Sequence, residues 1–197
     1  KPTPLAVCFD PAGPTFRHLA SEEYKSERAE TPEDIKLSIP YIKRIIEAYN
    51  IPVVVCDGFE ADDVIGTLAQ QAEKQGFTTY MMTPDKDFGQ LVTPNILQYK
   101  PGYRGGDFEV RINTMTRTRY DREGVFEKYG VYPERIIDYL ALMGDKIDNI
   151  PGCPGVGEKT AQKLIAEYDS VEHLLEDTSG LKGALKKKVE ENAEQIR

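Results

Sequence analysis

Tryptophan is absent from this sequence, histidine occurs 2 times and cysteine 3 times. His18 and His173 are too few for a zinc site of the usual His/Cys kind. Cys8, Cys56 and Cys153 form no C-x-x-C pair, which argues against a disulfide framework and for a reducing setting. No apolar run approaches the roughly 18 residues that a membrane span needs. Lys1-Pro2-Thr3-Pro4 has no signal-peptide character and reads as a cut edge ahead of a strand. Basic excess is lacking too: the net charge is −8, which tells against a broad phosphate-binding face. That objection weakens where acids concentrate in one pocket, because global charge then says little about local potential. The rest is ordinary: 197 residues, 40% hydrophobic and 29% charged, fit one domain or one domain with a small appendage.

Short apolar runs ending in acids dominate the first half. Leu5–Phe9 ends at Asp10, Val53–Cys56 precedes Gly58-Phe59-Glu60-Ala61-Asp62-Asp63, and Thr78–Met82 precedes Asp85-Lys86-Asp87. Open α/β sheets hold their ligands at such strand ends. Between them, Thr31 reads as an N-cap with Pro32 in the first turn. Ile35, Ile39, Ile42, Ile45, Ile46 and Tyr49 have helical spacing and predict a core-facing helix, kinked or split at Pro40. Ala61 to Gln75 predicts the next helix. Ile96–Tyr99 and Phe108–Ile112 predict a last strand and hairpin, with Gly102, Gly105 and Gly106 between them. Alternating strands and helices predict an α/β fold with a mostly parallel sheet flanked by helices.

From about Asp121 the pattern is helical: one helix ends at Gly130, and Pro133–Met143 predicts the next. Gly152, Gly155 and Gly157 then lead into a helix at Glu158. The predicted organisation is an α/β core over 1–120 and an all-helical subdomain over 121–197.

Eight acids stand out: Asp10, Glu60, Asp62, Asp63, Asp85, Asp87, Asp145 and Asp148. Acids in a first helical turn also offset the helix dipole, so the Glu60–Asp63 group has a purely structural reading as well. Eight gathered carboxylates would repel without cations. With two divalent ions held by oxygen, Mg²⁺ or Mn²⁺, repulsion becomes ligation. Asp85 and Asp87 are expected on one face of extended chain, and Asp145 and Asp148 on one helical face. Arg17, Lys25 and Arg28, interleaved with Phe16 and Tyr24, form either a solvated face or a segment suited to phosphates and bases. The glycine turn is neither a Rossmann nor a Walker loop. It is better read as a grip on a DNA backbone, with Lys159 and Lys163 adding charge, or as a plain tight turn.

The stretches GFEADDVIGTLA, TPDKD, LMGDKIDNIPGCPGVGEKTA and FRHLASEEYKSER resemble the 5′–3′ exonuclease domain of bacterial DNA polymerase I, in the flap endonuclease superfamily. The likeness runs from Val7 to the end. It implies a PIN-like core with a helix–three-turn–helix, and sequence-independent cleavage of 5′-flap, nicked or gapped duplex DNA in primer removal and excision repair. Carried over by motif, the eight acids match the family's metal-site carboxylates, and Lys25 and Arg28 match its basic pair over the scissile phosphate. Tyr24 matches a base-stacking aromatic, and Arg17 a DNA contact. Gly152, Gly155, Gly157, Lys159, Thr160 and Lys163 match the duplex grip, where K⁺ is commonly held by main-chain carbonyls. The resemblance further implies a monomer in the bacterial cytoplasm, associated with the nucleoid, no membrane, and a polymerase domain in the same parent chain. Two departures are expected: the family's first strand, with one more aspartate, precedes this chain, and Tyr99–Tyr120 is a surface insertion. The alternatives are a duplex-binding module without catalysis, a PIN-type ribonuclease, and an inactive truncated fragment.

Overall fold

The structure, a computed structural model, describes residues 4–100 and 118–197. The predicted Phe108–Ile112 strand and its glycines lie outside the described residues. The chain forms two compact units: residues 1–68 with 147–149, and residues 69–146 with 150–197.

In the first unit, β1 (Val7–Cys8) pairs in parallel with β2 (Val53–Val54), Val7 opposite Val53. Between them lie α1 (Phe16–Ala20), turns over 22–28, and α2 (Glu33–Ala48). α3 (Ala61–Lys74) follows β2 and carries Asp62 and Asp63 in its first turn. Thr31 is not the cap of α2. Pro32 takes that position with extended ψ, and its fixed φ suits a helix entry without a side-chain bond. Pro40 neither splits the helix nor ends it, and α2 runs through it unbroken. The apolar face of α2 is not a core face: Ile39 and Ile46 are half-buried, while Ile35, Ile42, Ile45 and Tyr49 are exposed. A pair of strands two residues long covers too little of a helix to bury it.

The second unit holds the hydrophobic core. β3 (Thr79–Met82) pairs in parallel with β4 (Ile96–Lys100), which pairs antiparallel with β5 (Thr118–Tyr120). Among the described residues the strands therefore make two small sheets rather than the single sheet expected. A 3₁₀ turn over Lys86–Leu91 joins β3 to β4. The helices are α4 (Arg122–Tyr129), α5 (Ile136–Met143), α6 (Glu158–Tyr168), α7 (Val171–Glu176) and α8 (Gly183–Glu191). Val125, Leu142, Leu174 and Val189 are wholly enclosed, each contributing about 1.5–3 kcal/mol by burial. Asp121 caps α4 by accepting from Gly124 N at 3.0 Å, and Gly130 ends it in the left-handed region.

Asp145 and Asp148 do not share a helix. Gly144 stops α5 with φ +73°, and Asp145 and Ile150 then exchange backbone hydrogen bonds of 2.8 and 2.7 Å around a tight turn. Gly144 and Gly152 meet backbone to backbone: a Cβ on Gly144 would lie 2.7 Å from Ile150 O and 3.0 Å from Gly152 Cα. Gly144→Ala adds that clash to an unfavourable φ, so it is expected to cost at least about 2 kcal/mol in urea unfolding. A neutral result would show that the turn yields freely.

Candidate active site

Glu60 is the hub of the first unit. It is only 6% exposed, and it receives Lys25 Nζ at 2.6 Å, Tyr24 OH at 2.9 Å and an Arg17 amino group at 3.4 Å. Arg17 makes a two-pronged bond to Asp63, 2.7 and 2.8 Å, the geometry in which guanidinium and carboxylate bind best. Asp63 also accepts from Glu60 N at 3.0 Å, and Asp10 from Ala61 N at 2.8 Å. The first turn of α3 is thus closed by carboxylates, as the dipole reading expects. Asp62 is exposed on that same turn.

Lys25 carries the unit's most telling backbone. Its φ is +56°, a conformation costing an L residue roughly 1–2 kcal/mol. Its N–H donates to Asp148 O at 3.0 Å, and its ammonium lies 4.9 Å from the Tyr24 ring centre. Arg28 Nε donates to Asp148 Oδ1 at 2.9 Å, and an Arg28 amino group reaches the same oxygen. Asn149, also left-handed, clasps Glu23 O at 3.0 Å and Ser26 Oγ at 3.3 Å. The basic turn is therefore pinned at both ends by Glu60 and by Asp148-Asn149. Strain retained at charged residues that face a carboxylate is typical of functional sites.

These pairings set the proton affinities. Arg17 holds the Asp63 carboxyl below the usual range. Burial pushes Glu60 up, but Lys25 and Tyr24 outweigh it and leave it lowered. Burial, reinforced by Glu60, pushes the Tyr24 phenol up to about 12, so it stays a donor.

The second unit holds a separate acid group. Asp85 is not in extended register with Asp87; it caps the 3₁₀ turn, accepting from Asp87 N at 2.9 Å. Gln98, fully enclosed on β4, donates to Thr83 O at 3.2 Å and also to Asp85 O, fixing this backbone from below. Lys86 pairs with Asp145 and stands 3.6 Å from Asp87. Asp87 Oδ1 is enclosed and accepts no hydrogen bond. Burial raises the Asp87 proton affinity, Asp85 and Asp145 raise it further, and Lys86 opposes them.

Among the described residues, no three His, Cys, Asp or Glu side chains converge as a ready metal cage. Side-chain cations hold the acids instead: Lys25, Arg17 and Arg28 in one unit, Lys86 in the other. The donors still fit a hard divalent ion, being all carboxylate oxygen, with the Asp87 oxygen buried and lacking a donor. Sequence reasoning missed Lys86, Gln98 and Asn149. Lys86 was legible, since a cation between two acids is visible in Asp85-Lys86-Asp87; nothing marked Gln98.

In the glycine loop, Gly152 has the packing role against Gly144 described above, and Gly155 has φ +80°. Gly157 is the N-cap of α6, and its carbonyl accepts from Thr160 N at 3.0 Å and Ala161 N at 2.9 Å. Lys159 and Lys163 are exposed on α6, with no ion pair among the described residues.

Fold and site together define a mixed α/β protein with carboxylate clusters near its strand ends and a helical C-terminal part. The chain belongs to the 5′-3′ exonuclease family: residues 1–130 match its N-terminal resolvase-like domain, and residues 131–197 its C-terminal SAM fold. DNA polymerase I of Bacillus subtilis is 44% identical over 99% of this chain, and this chain spans 21% of that protein. The 5′-3′ exonuclease of Aquifex aeolicus is 41% identical over 90% of this chain, which covers 57% of it. A bacteriophage T5 flap endonuclease, solved with DNA and metal ions, superimposes with TM-score 0.76 at 22% identity, covering 98% of this chain and 71% of that one. At that identity the likeness establishes the fold. No helix among the described residues is long and apolar enough to cross a membrane.

Proposed function

We propose that this chain is a nuclease module that hydrolyses phosphodiesters in 5′-flap, nicked or gapped duplex DNA, without regard to sequence, using two divalent ions, Mg²⁺ or Mn²⁺. The observation that carries the reading is the strained basic turn of Tyr24, Lys25 and Arg28, held on Glu60 and Asp148. Family membership and the DNA and metal ions bound by the T5 relative support it. Residues 1–120, together with Asp145 and Asp148, would supply the hydrolytic groups and the rest of 121–197 the duplex grip, with K⁺ on the loop carbonyls of Gly152–Gly157.

Asp10, Glu60, Asp62, Asp63 and Asp148 in one unit, and Asp85, Asp87 and Asp145 in the other, are the residues that would hold the divalent ions. Such ions, when bound, neutralise charge on the phosphoryl group and lower the barrier to attack by water. Lys25 and Arg28 exchange their carboxylates for the scissile phosphate and stabilise the charge that builds on it. Tyr24, protonated at neutral pH, offers its ring face to a base at the junction. Arg17 holds Asp63 and steadies the entry to α3. The relatives' names support a bacterial cytoplasmic setting and a longer parent with a polymerase region; we take the chain to act as a monomer.

The test is cleavage of a labelled 5′-flap duplex in Mg²⁺ or Mn²⁺ against a chelator control. Cutting at the junction is expected in two unrelated sequences, and at least about tenfold less with Lys25→Ala. One observation favours a second reading, a duplex-binding module without catalysis: Glu60, Asp63, Asp145 and Asp148 are already paired with side-chain cations. Duplex binding without cleavage in either metal would decide for that reading.

A further inference from the structure

The glycine loop is held by α8 and the turn that follows it. Gln195 Nε2 donates to Gly152 O at 2.7 Å. Lys188, on α8, lays its ammonium over Gly155, 2.5 Å from where a Cβ would stand. Only a residue without a side chain lets the amine approach so closely. Cys153, between these two contacts, is 3% exposed and feels the Lys188 charge, which opposes the burial that raises its thiol.

Lys188 differs from its neighbours. Lys186 lies 3.8 Å from Glu190, and Lys187 lies 3.6 Å from Glu191, each neutralised one turn along the helix. Four residues beyond Lys188 stands Asn192, whose amide bonds the Lys188 carbonyl at 2.8 Å. Lys188 has no carboxylate partner among the described residues, and its side chain is exposed. Lys159 and Lys163, one helical turn apart on α6, repel one another and also lack acids among the described residues. The shared chemistry is that of an external polyanion.

We infer that Lys188 is a DNA-phosphate contact at the glycine loop, and that Gln195 is the positioning residue that fixes the loop for it. This rests on the duplex-binding reading above. The phosphate takes its charge from Lys188 and its geometry from the loop, whose Gly152 carbonyl accepts from Gln195.

The experiment is fluorescence anisotropy of a labelled blunt duplex, titrated with the whole chain between about 50 and 200 mM salt. Lys188→Gln is expected to lower the slope of log affinity against log salt by about one, one phosphate contact fewer. Lys188→Arg restores it, and Lys187→Gln, already paired on its own helix, leaves it unchanged. Gln195→Ala weakens binding about fivefold at every salt concentration with the slope intact, the worth of one hydrogen bond. If Lys163→Ala lowers the slope but Lys188→Gln does not, the Lys188 assignment is wrong and the duplex-binding reading stands. If Gln195→Ala matches the parent chain, the positioning role is wrong. If the unsubstituted chain shows no salt-dependent duplex binding, the underlying reading fails first.

Discussion

Asp87→Asn is expected to reduce metal-dependent flap cleavage about a thousandfold while leaving the metal-free protein as stable as before, or more so. The two halves have one cause. Asp87 lies among Asp85 and Asp145, with one carboxylate oxygen enclosed and accepting no hydrogen bond. Its folded-state proton affinity is raised, so at neutral pH the ionised group works against the fold, and the opposition fades as pH falls through that raised value. An amide removes the charge and keeps the shape. The contact with Lys86 is 3.6 Å and partly exposed, so losing it costs little. Cleavage suffers for the opposite reason: the charge that burdens the resting protein is what a divalent ion would need. A loss of several kcal/mol in transition-state stabilisation corresponds to about three decades in rate. Flap cleavage in Mg²⁺ and thermal melting in a chelator measure the two halves separately. Full cleavage would remove Asp87 from the metal set; a clear drop in melting temperature would refute the crowding argument.

Glu60→Ala carries the largest expected stability loss in the first unit, about 3 kcal/mol in urea unfolding. It strands Lys25, whose side chain is 17% exposed and whose left-handed backbone already stores strain. Tyr24 loses its acceptor at the same time. Arg17 keeps Asp63 and is a third exposed, so it contributes little to the loss. Glu60→Gln, which retains an acceptor oxygen, should recover part of it. Because Glu60 and Asp63 are both held below their ordinary values, their contribution is complete above the unfolded carboxylate range and vanishes as pH falls through the lowered values. The gap between parent and Glu60→Ala should therefore narrow in acid; a gap constant down to about pH 3 would mean that charge is not its origin.

The elements and the acids were legible because each leaves a local mark. Val53-Val54 followed by a helix start at Ala61, and Gly130 after α4, are signals written within a few residues. Family membership was legible from the four motifs. What escaped was set by partners distant in sequence. Helical spacing in α2 marks one apolar face but not whether anything covers it, and Ile35 and Ile45 proved exposed. The three-residue step from Asp145 to Asp148 suits a helix, but Gly144 and the Asp145–Ile150 bridge turn it into a loop. Composition gave no hint that Glu60, Asp63, Asp145 and Asp148 would be matched by Arg17, Lys25, Arg28 and Lys86, since pairing depends on tertiary contact.

Residues 147–149 belong to the first unit although 78 positions, 69 to 146, separate them from the rest of it. Arg28 meets Asp148 across 120 residues. During synthesis, the basic turn cannot be pinned at its second end until Asn149 has emerged from the ribosome. By then most of the second unit has been made. Contacts of such long range close slowly, since bringing the ends of a long loop together costs entropy before any contact rewards it. A single backbone cut anywhere from 69 to 146 would leave Lys25 and Arg28 on a different fragment from the segment that holds them.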